Sequence, residues 1–294
     1  MTSADRGPDS VFVTAPDGLR LHVRCHGRRA AAELPVVCLP GLARTTSDFD
    51  ELAAALCADR RVVALDYRGR GRSEYDRNIA NYTLAVELAD VLAVLTALDI
   101  GRAVFVGTSR GGLLTMLLAT ARPTAMAGAV LNDIGPVIEP RGLVRIKGYV
   151  GKLPPPRHYE EGAEILRRLF DAQFPKLEAA DWLKAAHRTW QSQNGRLVPT
   201  YDVHLASVLG GLDLEKPLPA LWNEFDALAG VPLMTIRGAN SDLLSEDTVA
   251  AMKARRPDME VVTVPDQGHA PLLAEPPVIR QIAAFIDRCG NSRR

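Results

Sequence analysis

The chain has 294 residues, of which 47% are hydrophobic, and this is enough for one large core or for a core domain with a smaller inserted one. Its 35 Lys and Arg residues balance its 35 Asp and Glu residues, so net charge would not hold it on nucleic acid or on an anionic membrane. No stretch approaches the roughly 18 uninterrupted apolar residues of a membrane-spanning helix. The composition predicts a globular protein that binds neither nucleic acid nor membranes.

The beginning of the chain and the cysteines indicate the compartment. Residues 1–10 are polar and lack the apolar run of a signal peptide, so we expect a cytoplasmic location. The four cysteines are scattered without a CxxC pair, and we expect buried, reduced thiols at Cys25, Cys38, Cys57 and Cys289.

The first predicted element is an antiparallel hairpin. Residues 11–13 and 19–25 flank a turn at 16–18 that contains proline and glycine. Alternation in the second strand places residues such as Leu21 on a buried face and His22 on a solvated one.

Short continuous apolar runs follow, at 36–39, 62–65, 103–106, 128–131, 233–236 and 261–264. Such runs are typical of parallel strands buried on both faces. Helical patterns lie between them, the clearest beginning near Thr83. This alternation predicts an α/β protein with a mostly parallel, doubly wound sheet.

The alternation stops after Asp133 and resumes only at Val231. The intervening residues have helical patterning and prolines but no convincing strand. We therefore predict a helical cap at 137–225, inserted into a core domain formed by 1–136 and 226–294.

A candidate nucleophile lies between a predicted strand and a predicted helix, in Gly107-Thr108-Ser109-Arg110-Gly111. This G-x-S-x-G pattern in a strand–turn–helix context forms a sharp turn that exposes the serine hydroxyl. Glycines two residues before and after the serine let neighbouring backbone pass close by.

A serine hydroxyl needs a base that takes its proton and an acid that orients the base. Asp242 follows the predicted strand 233–236, and His269 follows 261–264, so both would lie near Ser109 at the same end of the sheet. Asp133 also ends a strand and is the alternative acid. The other histidines fall on the hairpin or in the predicted cap: His22, His26, His158, His187 and His204.

Stabilisation of a tetrahedral intermediate requires donors aimed at the oxyanion. The residue after the nucleophile, Arg110, offers a backbone amide at a helix N-terminus. We expect the second amide from Leu42 in the loop after 36–39, because Gly41 lets the chain turn and Pro40 has no N–H.

Together these motifs resemble the α/β-hydrolase superfamily, in particular its capped branch of esterase-like and epoxide-hydrolase-like members. Residues 66–73 are similar to the family's D-x-R-G-x-G-x-S loop, and Gly268 precedes His269 as the resemblance leads one to expect. The resemblance implies a cap after the sixth strand. Two positions depart from the family: Pro40 stands where histidine is usual, and Arg110 where Met, Leu or Gln is usual, so that its charge lies near the site or pairs with a carboxylate.

These observations lead us to expect a serine hydrolase that cleaves small to medium carboxylic esters through an acyl-enzyme, without metal or organic cofactor. Lactone, thioester, polyester or carbon–carbon bond hydrolysis and perhydrolysis by the same residues are alternatives, as is a non-catalytic ligand-binding protein of this fold. The residues expected to contact substrate are Leu42, Tyr149, Phe170, Trp190 and Leu243.

Overall fold

An eight-stranded sheet runs through the protein, seen in a computed structural model that describes residues 8–211 and 218–291. Residues 1–7, 212–217 and 292–294 of the predicted domains lie outside the described residues. The strands are β1 (Asp9–Thr14), β2 (Arg20–His26), β3 (Val36–Leu39), β4 (Val62–Leu65), β5 (Ala103–Thr108), β6 (Met126–Asn132), β7 (Trp190–Gln193), β8 (Arg196–Pro199), β9 (Leu233–Gly238) and β10 (Glu260–Val264).

The main sheet has the order β1-β2-β4-β3-β5-β6-β9-β10. β1 and β2 form the predicted antiparallel hairpin, and β2 also pairs antiparallel with β4. The remaining neighbours are parallel. The predicted fold class, a mostly parallel sheet with an antiparallel N-terminal hairpin, is confirmed.

Helices lie on both faces of this sheet and in the segment between β6 and β9. They are α1 (Asp50–Leu56), α2 (Leu84–Ala97), α3 (Arg110–Ala121), α4 (Pro140–Tyr149), α5 (Tyr159–Phe170), α6 (Ala179–Thr189), α7 (Ala206–Gly210), α8 (Trp222–Asp226), α9 (Glu246–Arg255) and α10 (Pro276–Asn291). In β3, Val37 and Leu39 join one apolar cluster while Val36 and Cys38 join another. Both faces of the strand are buried, which explains its continuous apolar sequence. Within the described ranges, no helix is both long and apolar enough to cross a bilayer.

The hairpin differs from the prediction at His22, which is 2% exposed. Residues 66–73 fold over that face, so the His22 ring nitrogen Nδ1 lies 2.7 Å from Asp66 Oδ2 and its backbone N–H donates to Ser73 Oγ. The polar residue is buried because a loop remote in sequence supplies its partners.

The segment between β6 and β9 contains α4 to α8 and the hairpin β7–β8. Its two ends meet where the Leu221 amide donates to the Pro136 carbonyl, at 2.8 Å. The hairpin was not predicted, although Asn194-Gly195 is a strong hairpin signal: both residues have positive φ, 52° and 74°, as a type I′ turn requires.

Candidate active site

Ser109 lies on the turn between β5 and α3, with φ 52° and ψ −113°. Its amide donates to the Asn132 carbonyl of β6 at 2.9 Å, which fixes the turn against the sheet. A methyl group on Gly111 would collide with the Leu39 carbonyl, and one on Gly107 would collide with the Gly111 carbonyl. The two glycines therefore permit the close packing that holds the strained serine in place.

A hydrogen-bonded chain connects Ser109 to a buried carboxylate. The His269 ring nitrogen Nε2 is 2.9 Å from Ser109 Oγ, and its Nδ1 is 2.8 Å from Asp133 Oδ2. Asp133 is fully buried, and its carboxylate also accepts from the Gly238 amide at 2.8 Å and from the Ser241 hydroxyl at 2.6 Å. These donors compensate the desolvation of the carboxylate.

The structure places Asp133, and not the expected Asp242, in hydrogen-bond contact with His269. Asp242 instead accepts two hydrogen bonds from Arg145 of α4, at 2.7 and 2.9 Å. Burial opposes ionisation of Asp242, but the hydrogen bonds and charge of Arg145 hold the pKa of this carboxyl below its usual value. Asp242 thus joins the loop after β9 to the inserted segment.

The two amides expected at the oxyanion site belong to residues beside Ser109. Arg110 directly follows it, and a methyl group on Gly41 would lie 3.9 Å from Ser109 Cβ, so the loop that carries Leu42 passes close to the serine. In the part of the chain that the structure describes, neither the Leu42 amide nor the Arg110 amide has an acceptor.

The Arg110 side chain pairs with a carboxylate, the second of the two outcomes expected. Its Nε donates to Glu87 Oε2 at 2.5 Å, and the arginine is 8% exposed while Glu87 is fully buried. The guanidinium is therefore paired with a buried carboxylate and does not project into the site.

A cavity of about 240 Å³ opens onto Ser109 and His269. Of the residues expected to contact substrate, Leu42, Tyr149 and Phe170 line it. Burial raises the pKa of Tyr149, so its hydroxyl is a neutral donor at physiological pH. Further apolar lining comes from Ile146, Leu153, Leu166, Phe174 and Leu177.

Two of the expected contact residues do not reach the cavity. Trp190 is fully buried in the apolar cluster of the inserted segment, where its ring packs against Gly162. Leu243 is 2% exposed and packs against Gly142 of α4. Both side chains serve packing, since neighbours from remote parts of the sequence cover them.

The comparisons with known proteins agree with this architecture. A family model described as the alpha/beta hydrolase family matches residues 36–281. The chain belongs to this family. It is a hydrolase.

Individual relatives span most of the chain. The 3-hydroxybutyrate-oligomer hydrolase of Cupriavidus necator is 35% identical over 249 residues, 82% of this chain and 84% of the relative. An sn-1-specific diacylglycerol lipase of Danio rerio is 25% identical over 267 residues, 90% of this chain and 80% of the relative. The crystal structure of an α/β hydrolase from Novosphingobium aromaticivorans has 41% identity and a TM-score of 0.90, covering 96% of this chain and 98% of that one.

Several residues that position the side chains of this site were not predicted from the sequence. Ser241 donates a hydrogen bond to Asp133, Arg145 donates to Asp242, and Glu87 accepts one from Arg110. Of these three residues, only Ser241 could have been suggested by the sequence, because it lies in the loop that follows the strand β9. Glu87 and Arg145 lie on helices where a charged residue ordinarily indicates a solvated face.

Replacing Gly111 with alanine should lower the free energy of unfolding by about 2 kcal/mol or more, because the added methyl would overlap the Leu39 carbonyl. Urea unfolding followed by circular dichroism measures the change. Gly101→Ala is the matched control, since a methyl there meets no atom within 4 Å and should change stability by less than about 0.5 kcal/mol. Equal midpoints for the two variants would contradict this account of the turn.

Replacing Asp242 with asparagine should lower the free energy of unfolding at pH 7 by about 1.5–3 kcal/mol, the range for hydrogen bonds to charged groups. The folded-state pKa of Asp242 is lowered, so its stabilisation is complete above the unfolded pKa of about 3.9 and is lost as pH falls through the folded pKa. Urea unfolding between pH 7 and pH 3 should therefore show wild type and variant converging.

The control for this series is Asp226→Asn, which removes an ion pair with Arg255 in which both side chains are about half exposed. Its effect at pH 7 should stay below about 1 kcal/mol. A stability difference for Asp242→Asn that stays constant down to pH 3 would show that the Arg145 pair is not responsible.

Proposed function

We propose that this hydrolase is a serine esterase in which Ser109 is the nucleophile, His269 the general base and Asp133 the acid that orients it. The observation that carries the proposal is the unbroken chain of contacts from Ser109 Oγ through the imidazole to the buried carboxylate. Donor and acceptor distances of 2.9 and 2.8 Å lie within the range expected for a nucleophile–base–acid set.

In the proposed reaction, Ser109 Oγ attacks the ester carbonyl while His269 Nε2 takes the hydroxyl proton. The carbonyl oxygen becomes an oxyanion that accepts hydrogen bonds from the Leu42 and Arg110 amides. The intermediate collapses as the imidazolium returns its proton to the departing alcohol, which leaves an acyl-enzyme. Water, deprotonated by His269, then attacks this ester; the carboxylic acid departs and Ser109 regains its proton. In every step, the Asp133 carboxylate accepts a hydrogen bond from His269 Nδ1–H.

The proposed substrates are esters with short, largely apolar acyl groups. A cavity of about 240 Å³ lined mainly by aliphatic and aromatic side chains favours a group of that size. The relative from Cupriavidus necator is named for hydrolysis of 3-hydroxybutyrate oligomers, which are chains of short hydroxyacid esters. Short hydroxyacid ester oligomers are therefore the first compounds to assay.

We further propose that residues 137–225 form a cap that selects among these substrates. The proposal is supported by the positions of α4, α5 and α6, whose side chains supply much of the cavity wall above Ser109. The segment has an apolar cluster of its own, which contains Leu166, Trp182 and Trp190 and gives the wall a fixed shape.

Ser109→Ala should reduce kcat for p-nitrophenyl butyrate by a factor on the order of a million while the protein remains folded, because the hydroxyl forms the covalent intermediate. Stopped-flow release of nitrophenol measures the rate. A fluorophosphonate should label wild type at Ser109, located by mass spectrometry, and leave the alanine variant unlabelled. Turnover that survives the substitution would refute the covalent mechanism.

The two candidate acids give opposite predictions. Asp133→Asn should reduce kcat by about ten-thousand-fold, because an amide stabilises the wrong imidazole tautomer and no longer stabilises the imidazolium. Asp242→Asn should change kcat by less than about tenfold, since its carboxylate binds Arg145. Steady-state kinetics of both purified variants decide the matter; the reverse order of effects would restore Asp242 as the acid.

Phe170→Ala should move the preferred acyl length of nitrophenyl esters upward by one or more carbons, because it removes a ring from the cavity wall. Leu169→Ala is the control, since this neighbour on α5 is 45% exposed and does not line the cavity. Values of kcat/KM across acetate to decanoate esters give the profile. Identical profiles for wild type and Phe170→Ala would remove the support for a selective cap.

A further inference from the structure

Three charged side chains form a buried row beneath the site. Glu87 of α2 lies between Arg70 and Arg110: its Oε1 is 2.8 Å from Arg70 Nη1, and its Oε2 is 2.5 Å from Arg110 Nε. Glu87 and Arg70 are fully buried and Arg110 is 8% exposed. Burial of three charges is costly, so the row is only weak evidence of added stability, and its contacts indicate what else it does.

Both ends of the row reach the proposed oxyanion site. Arg70 Nε donates to the Leu42 carbonyl at 2.8 Å, and this hydrogen bond fixes the loop that offers the Leu42 amide. At the other end, Arg110 is the residue whose own amide follows Ser109. One carboxylate therefore connects the side chains that anchor the two candidate donors.

From these contacts we propose that Glu87 is a positioning residue for the oxyanion hole, setting the spacing between the Leu42 and Arg110 amides through Arg70 and Arg110. The inference rests on the proposed function, since it assumes an oxyanion formed at Ser109. Two amides stabilise an oxyanion only when both lie about 2.7–3.1 Å from it, so a small shift of either loop weakens the transition state more than the bound ester.

A positioning role and a purely electrostatic role of Glu87 predict opposite effects of Glu87→Gln on kcat. The row carries a net charge of one positive unit, from two arginines and one glutamate, and the substitution raises it to two. Greater positive charge near the site would favour an oxyanion, whereas displacement of the amides would disfavour it. A fall in kcat would therefore show that displacement of the amides outweighs the added positive charge.

The experiment compares Glu87→Gln with wild type in the hydrolysis of p-nitrophenyl butyrate. We expect kcat to fall about 10- to 100-fold, less than the loss for removing a donor outright, with KM changed less than threefold. The Ki of a trifluoromethyl ketone, which adds Ser109 to give an oxyanion, should rise by the same factor as kcat/KM falls.

The matched control is Asp90→Asn on the same helix. Asp90 is also fully buried and paired with an arginine, Arg68, but neither side chain contacts Leu42 or Arg110. Folded Asp90→Asn should retain kcat and Ki within about threefold. An equal loss in both variants, or a Glu87→Gln loss confined to KM, would overturn the proposal.

A second variant covers the case in which Glu87→Gln fails to fold. Arg70→Lys keeps the charge beside Glu87 but removes the Nε donor to Leu42, so kcat and the ketone affinity should fall together. Wild-type values for this folded variant would also refute the proposal. Failure of the proposed function is distinguishable, because wild type would then release no nitrophenol through Ser109.

Discussion

Close packing of backbone on backbone around Ser109 is the constraint from which the rest of the site follows. Gly107 and Gly111 let the turn pass against the Leu39 carbonyl, which brings the end of β3 next to the start of α3. The Leu42 loop leaves from that same strand end and so passes beside the turn that carries Ser109. A larger residue at either glycine would force these packed backbone segments apart.

The parallel register of the sheet explains why His269 and two carboxylates lie close to this turn. β5, β6, β9 and β10 are parallel, and β6 lies between β5 and β9, so the loops that follow them open at one edge. Asp133 follows β6 and Asp242 follows β9. Sequence position alone cannot separate them; Arg145, which is remote in sequence, engages Asp242, while the Gly238 amide and Ser241 hydroxyl direct Asp133 to the histidine.

The sequence predicted the strands well because β3, β4 and β6 are buried on both faces and so are apolar throughout. Ser109 and His269 were also identifiable, since a sharp turn demands glycine and only one histidine follows a predicted strand of the parallel part of the sheet. The residues expected to contact substrate were harder to predict from the sequence. Phe170 and Trp190 are both aromatic residues at or near the end of a helix, yet one lines the cavity and the other is fully buried, and only tertiary packing distinguishes them.

The loop at 66–73 shows why the motif arginines act on structure and not on substrate. Arg68 pairs with three carboxylates and Arg70 holds the Leu42 carbonyl, so both guanidinium groups are committed inside the protein. On its other side, the same loop pairs with the inserted segment: the Gly71 amide donates to the Thr200 carbonyl, and the Asp202 amide donates to the Gly69 carbonyl. The loop at 66–73 therefore contacts both the Leu42 loop and the inserted segment. Of the two buried arginines, Arg70 makes the contact to the Leu42 loop, whereas Arg68 fastens the loop at 66–73 to α2.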